Sequence, residues 1–150
     1  MMGPFRRTRQ GIEVRLDRAD VAILSQIPAM LGGVGAEPGD PAAGRLTVPV
    51  YLDDPGSDAE YWRLMRSELD ESRSADRSAF GELVAGAEDG VTASPAEAEA
   101  FLRVLVEARL VLAARLRVDV AADYERLDEG DHAILDYLAS LQALLIRALS

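Results

Sequence analysis

The chain has 150 residues, 49% hydrophobic and 28% charged, the size and balance of one domain that buries roughly 68–70% of its unfolded surface. It has no cysteine and a single histidine, which excludes disulfides, thiolate metal sites, cysteine nucleophiles and a zinc site of several imidazoles built by this chain. A formal charge of −10 sets the domain as a whole against nucleic acid.

The first element in chain order is a small β-hairpin over 5–16. Ile12, Val14 and Leu16 alternate with Glu13 and Arg15, the period of a half-buried strand, and Gln10-Gly11 offers the turn. Residues 1–18 hold five arginines against Glu13 and Asp17, a local charge of +3 that leaves −13 on the rest. The leading residues Met1 to Arg7 run into charge and not into an apolar stretch, so no secretory signal is expected and the cytoplasm is the expected location. No uninterrupted apolar run reaches the ~18 residues of a membrane span.

A helix is predicted over 17–34. Asp17 and Asp20 suit its first turn, Val21, Leu24, Ile27 and Leu31 form its stripe, and Gly32, Gly33 and Gly35 stop it. Pro28 falls inside that pattern, removes a donor and crowds the carbonyl of Leu24, so a kink or early end is expected there. Residues 35–56 read as a loop, with a brief edge strand over 46–52 limited by Pro49 and a turn at Asp53-Asp54-Pro55-Gly56.

The second helix is predicted over 57–84, opened by a capping box at Ser57 and Glu60. Trp62, Met65, Leu69, Phe80 and Leu83 share one face, with Asp76 in its middle. Residues 85–93 read as a turn-bearing connection. Ser94-Pro95-Ala96-Glu97 is a second capping box with proline at the first helical position, and opens a helix over 94–117. Its stripe of Phe101, Leu105, Ala108, Leu112 and Leu116 is widened on both sides, as in a central helix touched from several directions. A short helix over 119–127 and a last helix over 131–149, striped by Ile134, Leu138, Leu141, Leu145 and Leu149, complete a mainly α fold. The expected architecture is a single domain, a compact bundle of four main helices with a small N-terminal β-hairpin.

Candidate chemistry is sparse. Gly32-Gly33-Val34-Gly35 follows a helix, whereas phosphate-cradling loops follow a strand and open a helix, so it reads as a helix stop. His132 and Asp136 form an i,i+4 pair able to contribute to a metal site, but the solvated face of a helix explains them as well, and no metal or cofactor is expected. Asp53 and Asp54 suit a turn before a helix better than an acid/base pair. More informative are polar residues on apolar stripes. Arg109, Asp76 and Gln142 predict a buried network that docks the helices, because a buried charge is costly without partners. Arg6, Arg7, Arg9 and Arg15 make a basic hairpin, suited to a solvated edge or to an acidic protein surface. DNA contact is disfavoured by the acidic body, and no basic recognition helix follows a short turn. Leu144, Ile146 and Leu149 on the last helix either close the core or offer a homodimer seam.

Several of these pieces, taken in order, resemble the actinobacterial oxidative-stress regulator (AosR) family, long described as a domain of unknown function. The likeness covers nearly the whole chain. It rests on Phe5-Arg6-Arg7 with Gly11, on Leu16-Asp17, and on Tyr51-Leu52-Asp53-Asp54-Pro55. It continues through Phe101-Leu102-Arg103, Leu105, Arg109-Leu110, Leu112 and Arg115-Leu116, and closes with Asp136-Tyr137-Leu138, Leu141-Gln142, Leu145 and Arg147-Ala148-Leu149. The resemblance implies a cytoplasmic, non-enzymatic protein that modulates transcription through a protein partner, a sigma factor or RNA polymerase. The family's redox response depends on a cysteine pair that this chain lacks, and Pro28 and Ala113-Ala114 also depart from its pattern. Two alternatives follow. One is an adaptor or scaffold for Clp proteolysis or sulfur metabolism, implied by family gene neighbourhood. The other is a carboxylate enzyme, which would need Asp53, Asp54, Asp136 and His132 gathered in a pocket.

Overall fold

The structure, a computed structural model, describes residues 3–46 and 53–150. The fold is mainly α, with a three-stranded antiparallel sheet beside the helices. Strands β1 (Phe5–Thr8) and β2 (Gly11–Val14) form the expected hairpin, with Phe5 opposite Val14 and Thr8 opposite Gly11. The turn is Arg9-Gln10, one residue earlier than expected. Gly11 belongs to β2, where its φ of 144° and the Ala93 carbonyl oxygen, 2.1 Å from where a Cβ would stand, leave room for glycine alone.

That close approach comes from a third strand that the sequence reading lacks, β3 (Val91–Ala93), paired with β2 through Ile12–Ala93, Glu13–Thr92 and Val14–Val91. The segment read as a plain connection therefore closes the sheet. Its chain direction is set at Gly90, whose φ of 88° is strained for any residue with a side chain; the Arg15 guanidinium lies over it.

The predicted 17–34 helix is two helices, α1 (Arg18–Leu24) and α2 (Ile27–Gly32). Pro28 has no N–H and is tolerated only in a first turn, so the chain restarts its helix just before it. Asp17 and Asp20 form a full capping box at α1. A short 3-10 turn (Ala43–Arg45) follows, and the edge strand expected over 46–52 lies, beyond Leu46, outside the described residues.

Helix α3 (Pro55–Gly86) starts two residues earlier than expected. Asp54 is its cap, accepting from the Ser57 N–H at 3.1 Å and the Ser57 hydroxyl at 2.8 Å, and those bonds hold its carboxyl below the usual aspartate range. With Pro55 already helical, Ser57 cannot serve as the cap, and Glu60 pairs with Arg63 instead. Among the residues of α3 whose burial is described, the buried ones lie in its second half: Asp76, Phe80, Leu83 and Val84.

Helix α4 (Pro95–Arg115) opens on the predicted capping box, with the Glu97 N–H donating to Ser94 Oγ at 3.1 Å and the Ser94 N–H to Glu97 Oε1 at 3.0 Å. It is the central helix, packed against α2, α3, the sheet and the last helix. Phe101 stacks on Phe80 (ring centroids 4.4 Å apart) and meets Phe5 edge-on at 5.6 Å, so helix, helix and sheet share one aromatic contact. The chain leaves α4 through a Schellman turn, with the Val118 N–H donating to the Ala113 carbonyl and Arg117 at φ 61°, where glycine is usual. Helix α5 (Ala121–Glu125) and helix α6 (Glu129–Leu149) follow. Asp128 caps α6, whose first residue, Glu129, lies two ahead of the predicted start.

Among the described helices, α6 is long and apolar enough to cross a membrane by length and composition. Here Leu135, Leu138, Leu141 and Leu145 are buried, and α6 packs along α4. Leu149 packs against the core and so belongs to it, whereas Leu144 and Ile146 stay exposed.

Candidate functional site

The four arginines of the predicted basic hairpin are divided by the fold. Arg6 pairs across the strands with Glu13 at 3.2 Å. Arg7 donates to the Ser150 carbonyl oxygen at 2.8 Å, tying β1 to the end of α6. Arg7 and Arg9 line a 430 Å³ cleft beside Pro95 and Glu99, with Arg9 exposed at the turn. Arg15 instead lies over Gly90 and lines another cleft with Glu88, Asp17 and Asp20. The basic surface is thus the outer strand β1 and its turn, with Arg15 belonging to a separate, acidic cleft. Within the sheet β1 pairs with β2 and stands at the sheet's edge.

Of the predicted network of Arg109, Asp76 and Gln142, the structure pairs Arg109 with Gln142 but not with Asp76, and it buries Asp76 but leaves Arg109 exposed. Arg109 donates to Gln142 Oε1 at 3.1 Å, but at the exposed rim of α4 and α6. Asp76 is buried, 8% exposed, and its partner is Arg103, which grips it with two bonds of 2.8 and 2.9 Å. The reason is rotational. Arg103 and Arg109 sit about 120° apart on the α4 wheel, flanking opposite edges of its buried arc. Helix α3 packs on the Arg103 edge and α6 on the Arg109 edge. The bond to Asp76 also raises the Arg103 pKa. Beside it Glu107 receives Arg77 at 3.3 Å and Arg73 at 3.7 Å, so the α3–α4 seam is a line of ion pairs.

A further polar centre has no counterpart in the sequence reading. Asp40 accepts from the Arg115 guanidinium at 2.9 Å and from the Gly35 and Ala42 N–H groups at 3.1 and 3.0 Å. The Arg115 bond first, then the two backbone bonds, hold its carboxyl well below the ordinary aspartate range. These bonds tie the glycine-rich loop after α2 to the end of α4. The local signal was Asp40-Pro41 closing a Gly/Pro-rich stretch, an Asx-turn pattern. On α6, Tyr137 donates to Asp20 at 2.6 Å, and burial first, then that bond, push its phenol upward.

His132 does not stand alone on its helix. Its ring lies against Tyr124 of α5 (centroids 4.3 Å apart), and the Tyr124 hydroxyl donates to Asp136. That bond raises the Tyr124 pKa. Among the described residues no three His, Asp or Glu side chains are placed to hold a metal ion. Asp54 is spent on capping α3, and Asp136 on Tyr124.

Residues 2–149 match the family described as a domain of unknown function (DUF2017), and the chain belongs to that family. Comparisons with curated proteins and with solved structures give no match.

Proposed function

We propose that this DUF2017 member is a cytoplasmic, non-enzymatic regulator of the actinobacterial AosR type, acting on transcription by contact with a sigma factor or RNA polymerase. The ordered motifs from Phe5-Arg6-Arg7 to Arg147-Ala148-Leu149 support the type. The observation that carries contact as the mode of action is β1: an edge strand with two arginines in four residues and a third at its turn. Such a strand can accept a partner strand by main-chain pairing, while its arginines favour carboxylates on that partner. Screening confines this attraction to about 8 Å at physiological salt, so an acidic segment can dock there although the body of the chain is acidic too. Lacking cysteine, this member works without thiol oxidation.

The test is direct binding of the purified chain to RNA polymerase core enzyme and to each sigma factor of its source organism. One of them binds, the paired change Arg6→Glu with Arg9→Glu weakens it at least tenfold, and peroxide leaves it unchanged. Absence of binding to all of them overturns the proposal.

A further inference from the structure

The outer rim of the α4–α6 seam holds a pocket of 380 Å³ roofed by α5. Its size comes from small side chains: Ala113 on α4 faces Ala139 on α6, and Val118 and Ala121 close the top. Its ends are charged. Arg109 lines one end, and its guanidinium bonds only to the neutral Gln142 amide; Asp136 lines the other, bonded to the neutral Tyr124 hydroxyl. Among the described residues neither has a counter-charge. Both are exposed to water and each is held in place by a neutral partner, so both stay available to a ligand that brings the opposite charge.

Asp136 and Gln142, which holds Arg109, are six residues apart on α6, about 9 Å along its axis and about 120° around it, so the carboxylate and the guanidinium stand apart with Ala139 between them in the sequence of the helix. A ligand that reaches both charges passes over the Ala139 wall, and an aliphatic chain between its own two charges suits that wall.

We propose that this pocket binds a small aliphatic zwitterion, its carboxylate on Arg109 and its ammonium on Asp136. A guanidinium offers paired donors to a carboxylate, and Asp136 retains acceptor sites beyond the one used by Tyr124. The methylenes of the ligand cover apolar wall, and the two charges on each side are matched, so the bound complex adds no net charge. This binding is independent of the docking assigned to β1, and failure of either measurement leaves the other readable.

The probe is 4-aminobutanoate, added to the full chain carrying 13C-labelled alanine methyls and followed by NMR. The Ala113, Ala121 and Ala139 methyls shift saturably, while butanoate and butylammonium bind at least tenfold more weakly. Arg109→Gln and Asp136→Asn each weaken 4-aminobutanoate at least tenfold. Ala139→Leu, which fills the pocket without touching a charge, abolishes the shifts while the fold persists by circular dichroism. No saturable shift at millimolar probe, equal binding of either singly charged control, or unchanged affinity in the two charge variants overturns the proposal.

Discussion

Helix α4 meets α3 along one edge and α6 along the other; both seams have apolar contact, and they differ in the polar groups that cross them. On the α3 side Asp76–Arg103 and Glu107 with Arg73 and Arg77 cross the seam as charge-assisted bonds. On the α6 side the buried contact is aliphatic, from Leu138, Leu141 and Leu145, and the Arg109–Gln142 bond runs along the rim. Ion pairs fix register by direction, whereas apolar area holds helices together without specifying their detailed fit. The α6 seam can therefore tolerate the small residues that open its pocket, while the α3 seam is closed by its own charges.

The largest effect tests the aromatic contact that lies beneath the α3 seam. Phe101→Ala removes the ring that joins Phe5 and Phe80, and a loss of about 3–5 kcal/mol is expected in denaturant unfolding. A loss well below that would mean the ion pairs, and not the aromatic contact, hold α3 to α4. The α3 seam comes next. Asp76→Ala leaves Arg103 without its partner; because the Arg103 side chain is 56% exposed, the expected loss is only about 1–2 kcal/mol. A double-mutant cycle shows coupling of Asp76 to Arg103→Met and none to Arg109→Met. The reverse result would return Asp76 to the partner first expected for it.

Titration separates the contacts made at the ends of the helices. The folded Asp40 carboxyl lies below its ordinary value of 3.8, so the unfolded chain takes up its proton first as pH falls. Its contribution is complete above that value and is lost as pH falls toward the depressed one. Asp40→Asn is less stable at neutral pH, and its deficit against the parent shrinks on acidification below about 3.8, the ordinary value. Tyr137 has the opposite sign. Its folded pKa lies above 10.0, so its contribution is complete below that pH and is lost as the unfolded phenol ionises. Tyr137→Phe flattens this alkaline decline, read from unfolding midpoints across pH 9–12. The smallest change belongs to the α6 rim: Arg109→Met alters stability by less than about 0.5 kcal/mol, as expected of an exposed hydrogen bond.

Much of the fold was legible in local patterns. Ser94-Pro95-Ala96-Glu97 marked the start of α4 because the cap satisfies its donors within four residues. Ile12, Val14 and Leu16 are buried as their alternation required. Local pattern does not reach features whose deciding partner is distant in the chain. Val91–Ala93 is too short to show a period, although Gly90 followed by two β-branched residues was a strand signal in miniature. Ser57 resembled a cap, but Asp54-Pro55 began the helix before it. Arg103 went unread as the partner of Asp76 because a polar residue inside an apolar stripe draws attention, whereas the correct arginine lay at the stripe's edge.

Periodicity, caps and glycine stops are properties of a few neighbouring residues, so the order of the elements and their buried faces could be inferred from the chain itself. Charge pairing is set by how two helices are rotated about their axes, and Asp76 could not choose between Arg103 and Arg109 until α3 and α6 had taken opposite sides of α4. The zwitterion pocket likewise arises from Ala113 and Ala139 meeting across that seam. Neither alanine carries a mark of it in sequence, because an empty volume belongs to the packing and to no single residue.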